Sequence, residues 1–101
     1  MRARVVWRSK EEGGRATPPL GEGAPPYATI VRFLDINEPW PQDVVWTLVV
    51  EKIESSTDGR EWLANVRFLV PHAPAEALRA DRAFELYEGA KCVAAGVLLP
   101  S

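Results

Sequence analysis

The stretch Phe84-Glu85-Leu86-Tyr87-Glu88-Gly89-Ala90-Lys91-Cys92-Val93-Ala94-Ala95-Gly96-Val97-Leu98-Leu99 decides the fold. Residues two apart share a face of a strand. Phe84 and Leu86 alternate on one side of Glu88-Gly89, and Val93, Ala95, Val97 and Leu99 alternate on the other. Both runs therefore read as strands with one apolar face. Glu88-Gly89 supplies the glycine that tight hairpin turns take. A hairpin over residues 82–99 is expected to close an all-β domain.

Working outward, the same period recurs. Residues 60–70 place Trp62, Ala64, Val66, Phe68 and Val70 on one face, and residues 44–53 do the same with Val44, Trp46, Leu48 and Val50. The Ser55–Gly59 segment between them ends in Asp58-Gly59, a turn signal, so these two strands form a second hairpin. Residues 27–36 put Val31 and Phe33 on one face and Ile30, Leu34 and Ile36 on the other, so both faces are expected to be at least partly covered. Residues 2–9 turn Ala3, Val5 and Trp7 inward and three arginines, Arg2, Arg4 and Arg8, outward. Pro71-His72-Ala73-Pro74 breaks the fourth strand, and residues 75–80 carry one or two helical turns with Pro74 near the start. Six strands and one short helical turn suit a small Greek-key barrel or sandwich.

Composition agrees with one domain spanning residues 1–101. A chain of this size buries roughly 65% of its unfolded surface, enough to fold without disulfides or a metal. Net charge is −2, which gives no global pull towards nucleic acid or an anionic membrane. The distribution is uneven. Residues 1–32 hold six basic and three acidic side chains, net +3, and residues 33–101 hold six basic and eleven acidic, net −5. The single cysteine rules out an intrachain disulfide and fits a reducing compartment. Only Val5-Val6-Trp7 follows Arg2-Ala3-Arg4 before Arg8, so no signal peptide is expected, and no apolar run nears the ~20 residues of a membrane span. The expected address is the cytoplasm.

No residue pattern demands catalysis. Cys92 and His72 are each the only residue of their kind, and a nucleophilic pair needs them within hydrogen-bond reach. A partly buried thiol and a surface histidine are the simpler expectation. Zinc needs three or four ligands of suitable type, and with one Cys and one His a zinc site is not expected. Glu11, Glu12 and Glu88 lie in turns, where solvated or structural carboxylates are expected. Arg2, Arg4, Arg8, Lys10 and Arg15 near Trp7 and Tyr27 have the residue types of a nucleic-acid surface, but interleaved acids favour a solvated strand face. Trp40, held in Pro39-Trp40-Pro41, reads equally as an interface anchor and as a barrel cap. No Gly-x-x-x-x-Gly-Lys-Ser/Thr loop occurs, so no nucleotide site is expected.

Several of these stretches, in this order, resemble the third (C-terminal) domain of elongation factor Tu. Glu11-Glu12-Gly13-Gly14-Arg15 followed by Thr17-Pro18 carries the first half of the resemblance. Phe68-Leu69-Val70-Pro71 sits where that family has an apolar strand ending in proline. Phe84-Glu85-Leu86-Tyr87-Glu88-Gly89, then Lys91, Val93 and Ala95-Gly96-Val97, carry the rest. The resemblance spans essentially the whole chain. It implies a six-stranded antiparallel Greek-key barrel with no active site, which in that family helps to hold the stem of aminoacyl-tRNA and packs against its neighbouring domains. The family's outward chemistry is altered here. Tyr87 stands where it commonly has Arg, Val70 where it often has Lys, and Ala16 where it commonly has His. The family's aromatic is shifted to Tyr27, beyond Gly23-Ala24-Pro25-Pro26, while Arg15 and Lys91 remain. Lost cations remove counterion-release affinity for phosphate.

The sequence thus leads to a non-catalytic β-barrel binding module. It is expected to need no cofactor and no metal, with a protein partner first and an RNA stem as the alternative. The residues expected to carry binding are Arg15, Tyr27, Trp40, Tyr87 and Lys91.

Overall fold

The structure, a computed structural model, describes residues 1–14, 26–35 and 45–100. Arg15, Ile36, Trp40 and Val44, and with them most of residues 10–26, which the paired prolines Pro18-Pro19 and Pro25-Pro26 mark as a loop in the sequence, and the Pro39-Trp40-Pro41 turn, lie outside the described residues. The strands run β1 (Arg2–Trp7), β2 (Tyr27–Phe33), β3 (Trp46–Ser55), β4 (Glu61–Phe68), β5 (Ala83–Glu88) and β6 (Lys91–Leu98), with a 3-10 turn at Ala75–Ala77. They close into an antiparallel barrel in the order β1-β4-β3-β2-β5-β6, with β6 paired back to β1. β2, β3 and β4 lie side by side as consecutive strands, and β1 lies next to β4, which makes the Greek key. No helix among the described residues is long and apolar enough to cross a membrane.

The inward positions expected on β1, β4 and β5 form the core. Ala3, Val5 and Trp7 pack with Trp62, Ala64 and Val66, and with Phe84 and Leu86. Aromatic groups fill the two ends. Trp7 stands edge-on to Tyr27 at 5.3 Å and to Trp62 at 4.9 Å between ring centroids. At the other end Phe68 lies 6.5 Å from Phe33 and 6.1 Å from Trp46. Trp62 Nε1 donates to the Gly59 carbonyl at 3.0 Å, whereas Trp7 Nε1 is buried with no hydrogen-bond partner among the described residues. An orphaned buried donor costs roughly 1–3 kcal/mol. Two edge-on aromatic contacts, each worth about 0.5–1.5 kcal/mol, offset that cost.

The closing hairpin departs from strict alternation. Val93, Ala94 and Leu98 are fully buried, while Ala95 and Val97 are only half-buried. The cause is a β-bulge. Leu86 pairs with Ala94 but Tyr87 pairs with Cys92, which leaves Val93 as an extra residue. Val93 and Ala94 both face inward, and the inward set beyond them shifts by one residue to Ala94, Gly96 and Leu98. The bulge is pinned from outside, because the Val93 carbonyl accepts the Arg8 N–H at 2.8 Å. A second bulge leaves Ile53 unpaired between Lys52 and Glu54, and β3 continues to Ser55, past the expected end at Ile53. The hairpin turn is a two-residue loop with Gly89 at φ 62°, which glycine adopts without steric cost.

Three other boundaries differ. β2 ends at Phe33 and turns at Leu34-Asp35, so Leu34 is not covered but 49% exposed. β4 stops at Phe68, and Val70 lies in a bend. The helical segment expected over 75–80 shortens to the single turn Ala75–Ala77, where the Ala77 N–H reaches the Pro74 carbonyl at 2.9 Å.

An ion pair ties the chain around this turn to the barrel end. The Arg82 side chain is 8% exposed. Its Nε donates to Asp35 at 3.0 Å, its Nη1 donates to the Ala77 carbonyl at 2.9 Å, and its guanidinium lies 4.0 Å from the Phe33 ring centre. Arg79 adds a second bond to Asp35 at 3.0 Å.

Gly96 fixes the closure between β5, β6 and β1. A Cβ there would lie 2.4 Å from Phe84 Cζ and 2.8 Å from the Arg4 carbonyl oxygen. Gly96→Ala is expected to lower stability by about 1–3 kcal/mol, the usual cost of overpacking, read as an earlier midpoint in urea unfolding. A wild-type midpoint would show that Phe84 gives way freely.

Candidate interaction surface

Three of the expected binding residues meet near the β5–β6 turn. Glu88 pairs with Lys91, Tyr87 pairs with Cys92 and Ile30, and the Tyr27 hydroxyl donates to the Glu88 carboxylate. Of the three only Lys91 is exposed. Tyr27 packs its ring against Trp7 and belongs partly to the core. Tyr87 is 8% exposed; its hydroxyl donates to Glu85 at 3.1 Å and accepts from Arg32 at 3.5 Å. Burial first, then Glu85, pushes the Tyr87 pKa up, with Arg32 opposing. The Thr29 hydroxyl donates to the Tyr87 carbonyl. Both tyrosines are thus built into the barrel wall. Arg15 and Trp40 lie outside the described residues.

Arg4 on β1 and Arg8 just after it are neutralised. Arg4 pairs with Glu61 at 2.6 Å and Arg8 with Glu85 at 3.1 Å. Arg32 approaches Glu85 from the other side at 3.7 Å. This charge row follows from register, since Arg32, Glu85, Ala95 and Val6 lie abreast on β2, β5, β6 and β1. Arg2 and Lys10 have no carboxylate partner among the described residues.

Glu12 is a structural carboxylate. The Ser9 N–H donates to Glu12 at 2.9 Å and the Glu12 N–H donates to the Ser9 hydroxyl at 3.3 Å, a reciprocal box that closes the turn. Arg60 bridges this turn to β1, donating to Glu12 at 2.8 Å and to the Trp7 carbonyl at 2.7 Å. The Ser9 N–H first, then Arg60, lowers the Glu12 pKa from 4.5 to about 2. Hydrogen bonds from Arg82 and from Ser56 lower Asp35 and Asp58 likewise. A carboxylate whose folded pKa is depressed stabilises the fold fully above its unfolded pKa, and that contribution is lost as pH falls. Thermal midpoints should therefore drop as pH falls from 4.5 towards about 2, and Glu12→Gln should flatten that limb. An equally steep limb in the variant would remove Glu12 from the account.

Cys92 and His72 have different neighbours. Cys92 Sγ lies 3.5 Å from the Ala94 carbonyl, and the His72 ring stands against Trp46 at 5.8 Å. Burial, then the Glu85 charge, raises the thiol pKa, whereas an activated cysteine needs the reverse. Among the described residues no three His, Cys, Asp or Glu side chains gather into a metal site. Cys92 is expected to react with iodoacetamide at pH 8 more slowly than a free thiol; a rate equal to that of glutathione would overturn this.

The most exposed apolar side chains lie elsewhere. Of the five large exposed hydrophobic residues among those described, Leu34, Val45 and Leu69 are 49%, 40% and 53% exposed at one end of the β2–β3–β4 sheet. The ladder extends to two of them, with the Leu34 N–H on the Ala83 carbonyl at 3.1 Å and the Leu69 N–H on the Thr47 carbonyl at 2.9 Å. Val45 immediately precedes β3, one residue before the core-packed Trp46. A shallow groove continues this face between Val49, Glu51, Asn65 and Arg67. Sequence reasoning missed these residues. Their signal was an apolar side chain at positions assigned to the outer face, as Leu69 is between Phe68 and Val70. No protein-family model matches the chain, and no curated protein matches it.

Proposed function

We propose that this chain is a non-catalytic β-barrel binding module whose partner is a protein. The observation that carries this reading is the exposed apolar group Leu34, Val45 and Leu69 on the outside of a barrel whose interior is filled by its own side chains. Contiguous exposed apolar surface marks interaction sites, whereas singly scattered residues do not. The resemblance to the third domain of elongation factor Tu belongs to the same proposal, since the closed six-stranded barrel agrees with the fold it implies. A role in binding without chemistry is carried over with it. The reading assumes a cytoplasmic setting, which a half-buried free cysteine fits.

Phosphate recognition has less support. Arg4 and Arg8 are committed to Glu61 and Glu85, which reduces the free positive charge that counterion release requires.

The test is affinity purification from the native cell with and without RNase, using wild type and Val45→Ser/Leu69→Ser. The double variant is expected to keep its melting transition and to lose at least about tenfold of the captured protein, a loss of the size expected for an interface anchor. Equal capture by the variant would refute this face as the binding surface. A complex that disappears only with RNase would move the reading to RNA.

A further inference from the structure

We infer that residues 70–80 form a strap that lifts off the barrel end while the six strands stay paired, and that Asp35 is its latch. The inference rests on the reading of Leu34, Val45 and Leu69 as a protein-binding surface and gives that surface a regulator. The backbone of the strap is anchored at its two ends. Before it, the Leu69 N–H donates to the Thr47 carbonyl at 2.9 Å; after it, the Asp81 N–H donates to the Leu98 carbonyl at 2.7 Å. Between these anchors, among the described residues, no backbone hydrogen bond joins the segment to a strand. The Ala73 N–H turns back to the Val70 carbonyl at 3.3 Å, and the Ala77 N–H to the Pro74 carbonyl at 2.9 Å. Pro71 and Pro74 have no N–H to donate. Asp81, at the second anchor, takes φ 66°, a left-handed conformation that Asp adopts more readily than most side chains.

A small apolar underside and one carboxylate hold the middle of the strap. Ala77 and Leu78 pack against the core, and the His72 ring stands edge-on to Trp46 at 5.8 Å. Asp35, in the turn after β2, accepts from Arg79 at 3.0 Å and from Arg82 at 3.0 Å, and Arg82 also holds the Ala77 carbonyl at 2.9 Å. Among the described residues Asp35 is the only barrel side chain that hydrogen-bonds to the strap or to Arg82 beside it. The Asp35 side chain is 45% exposed, whereas that of Arg82 is 8% exposed. Release of Asp35 leaves a nearly buried cation without its carboxylate, which is costly. That cost is relieved when Arg82 swings into water and draws the Ala77 turn with it. Segments with few bonds to their surroundings and little buried area open below the free energy of global unfolding. Lifting uncovers Phe33, which lies under Arg82, and Trp46, which lies beside His72, next to the exposed Leu34, Val45 and Leu69. A protein that binds the enlarged apolar face favours the open state and shifts the population towards it.

Thiol labelling with DTNB under native conditions tests this on the whole chain, with Cys92→Ser as background. Ala73→Cys reports the strap, because Ala73 is 8% exposed, and Ala64→Cys reports the barrel, because Ala64 is 0% exposed. Circular dichroism confirms each fold, and Ala94→Cys serves if Ala64→Cys does not fold. The strap thiol should react at least about tenfold faster than the barrel thiol, with a shallower dependence on urea, because its opening exposes little surface. Gly96→Ala should speed the barrel thiol and leave the strap thiol unchanged. Asp35→Ala should speed the strap thiol by about tenfold or more, as expected for lost hydrogen bonds between charged groups, and should raise the amount of captured protein. A strap thiol with the rate and urea slope of the barrel thiol overturns the inference, as does one that Asp35→Ala does not speed. If the strap opens and Val45→Ser/Leu69→Ser loses the captured protein, but Asp35→Ala leaves capture unchanged, the binding surface stands and the strap falls as its regulator. Capture that ignores Val45→Ser/Leu69→Ser refutes the surface, and the thiol rates alone then decide whether the strap opens.

Discussion

The ring of Phe84 fills the space where a side chain on residue 96 would begin, and the closure of the barrel depends on that contact. Gly96 pairs with Phe84 on one side and with Val5 on the other, so it sits at the seam of β5, β6 and β1. A six-stranded barrel is narrow, and large inward side chains need small ones opposite them. The register supplies this repeatedly. Phe84 faces Gly96, Leu86 faces Ala94, and Leu98 faces Ala3. The small residues hold the strands close enough for large side chains, Leu48 and Phe84 among them, to fill the core.

The barrel ends are secured differently. One end is held by aromatic packing of Trp7, Tyr27 and Trp62, and by Arg60 joining the Ser9–Glu12 turn to the Trp7 carbonyl. At the other end Arg82 binds Asp35 after β2 and the Ala77 carbonyl before β5, while covering Phe33. That pairing satisfies a nearly buried cation, whose loss of its carboxylate would be expensive. Exposed pairs such as Arg4–Glu61 contribute far less, and their main effect is to remove positive charge from the β1 face.

The architecture was legible because the period-2 pattern on β1 and β4 is nearly unbroken, from Ala3 to Trp7 and from Trp62 to Val66. It misled on β6 because a bulge leaves no mark in composition. Val93 and Ala94 are both apolar, so a shift by one residue looks identical in the sequence. Leu34 was misassigned for a related reason: the end of β2 is set by the Arg82–Asp35 lock, a contact between residues 47 apart. The candidate surface was least legible. Alternation tells inside from outside, but whether Leu34, Val45 and Leu69 are covered depends on neighbours that only the folded chain brings near. Tyr27 and Tyr87 illustrate the converse, since their aromatic and polar character suggested binding and both are engaged within the barrel wall.

The pairing of β1 with both β4 and β6 has a kinetic consequence. The first strand, Arg2–Trp7, finds its two partners only at residues 61–65 and 94–98. Such non-local contacts must pay loop closure before they reward it, which slows folding. During synthesis β1 leaves the ribosome long before either partner, and its apolar face of Ala3, Val5 and Trp7 has nothing to pack against. The meander β2–β3–β4 can form earlier, whereas the seam at Gly96 has to wait until β6 has been made. The interval between these events is when the chain is most exposed to aggregation and most dependent on whatever shields a nascent β-sheet.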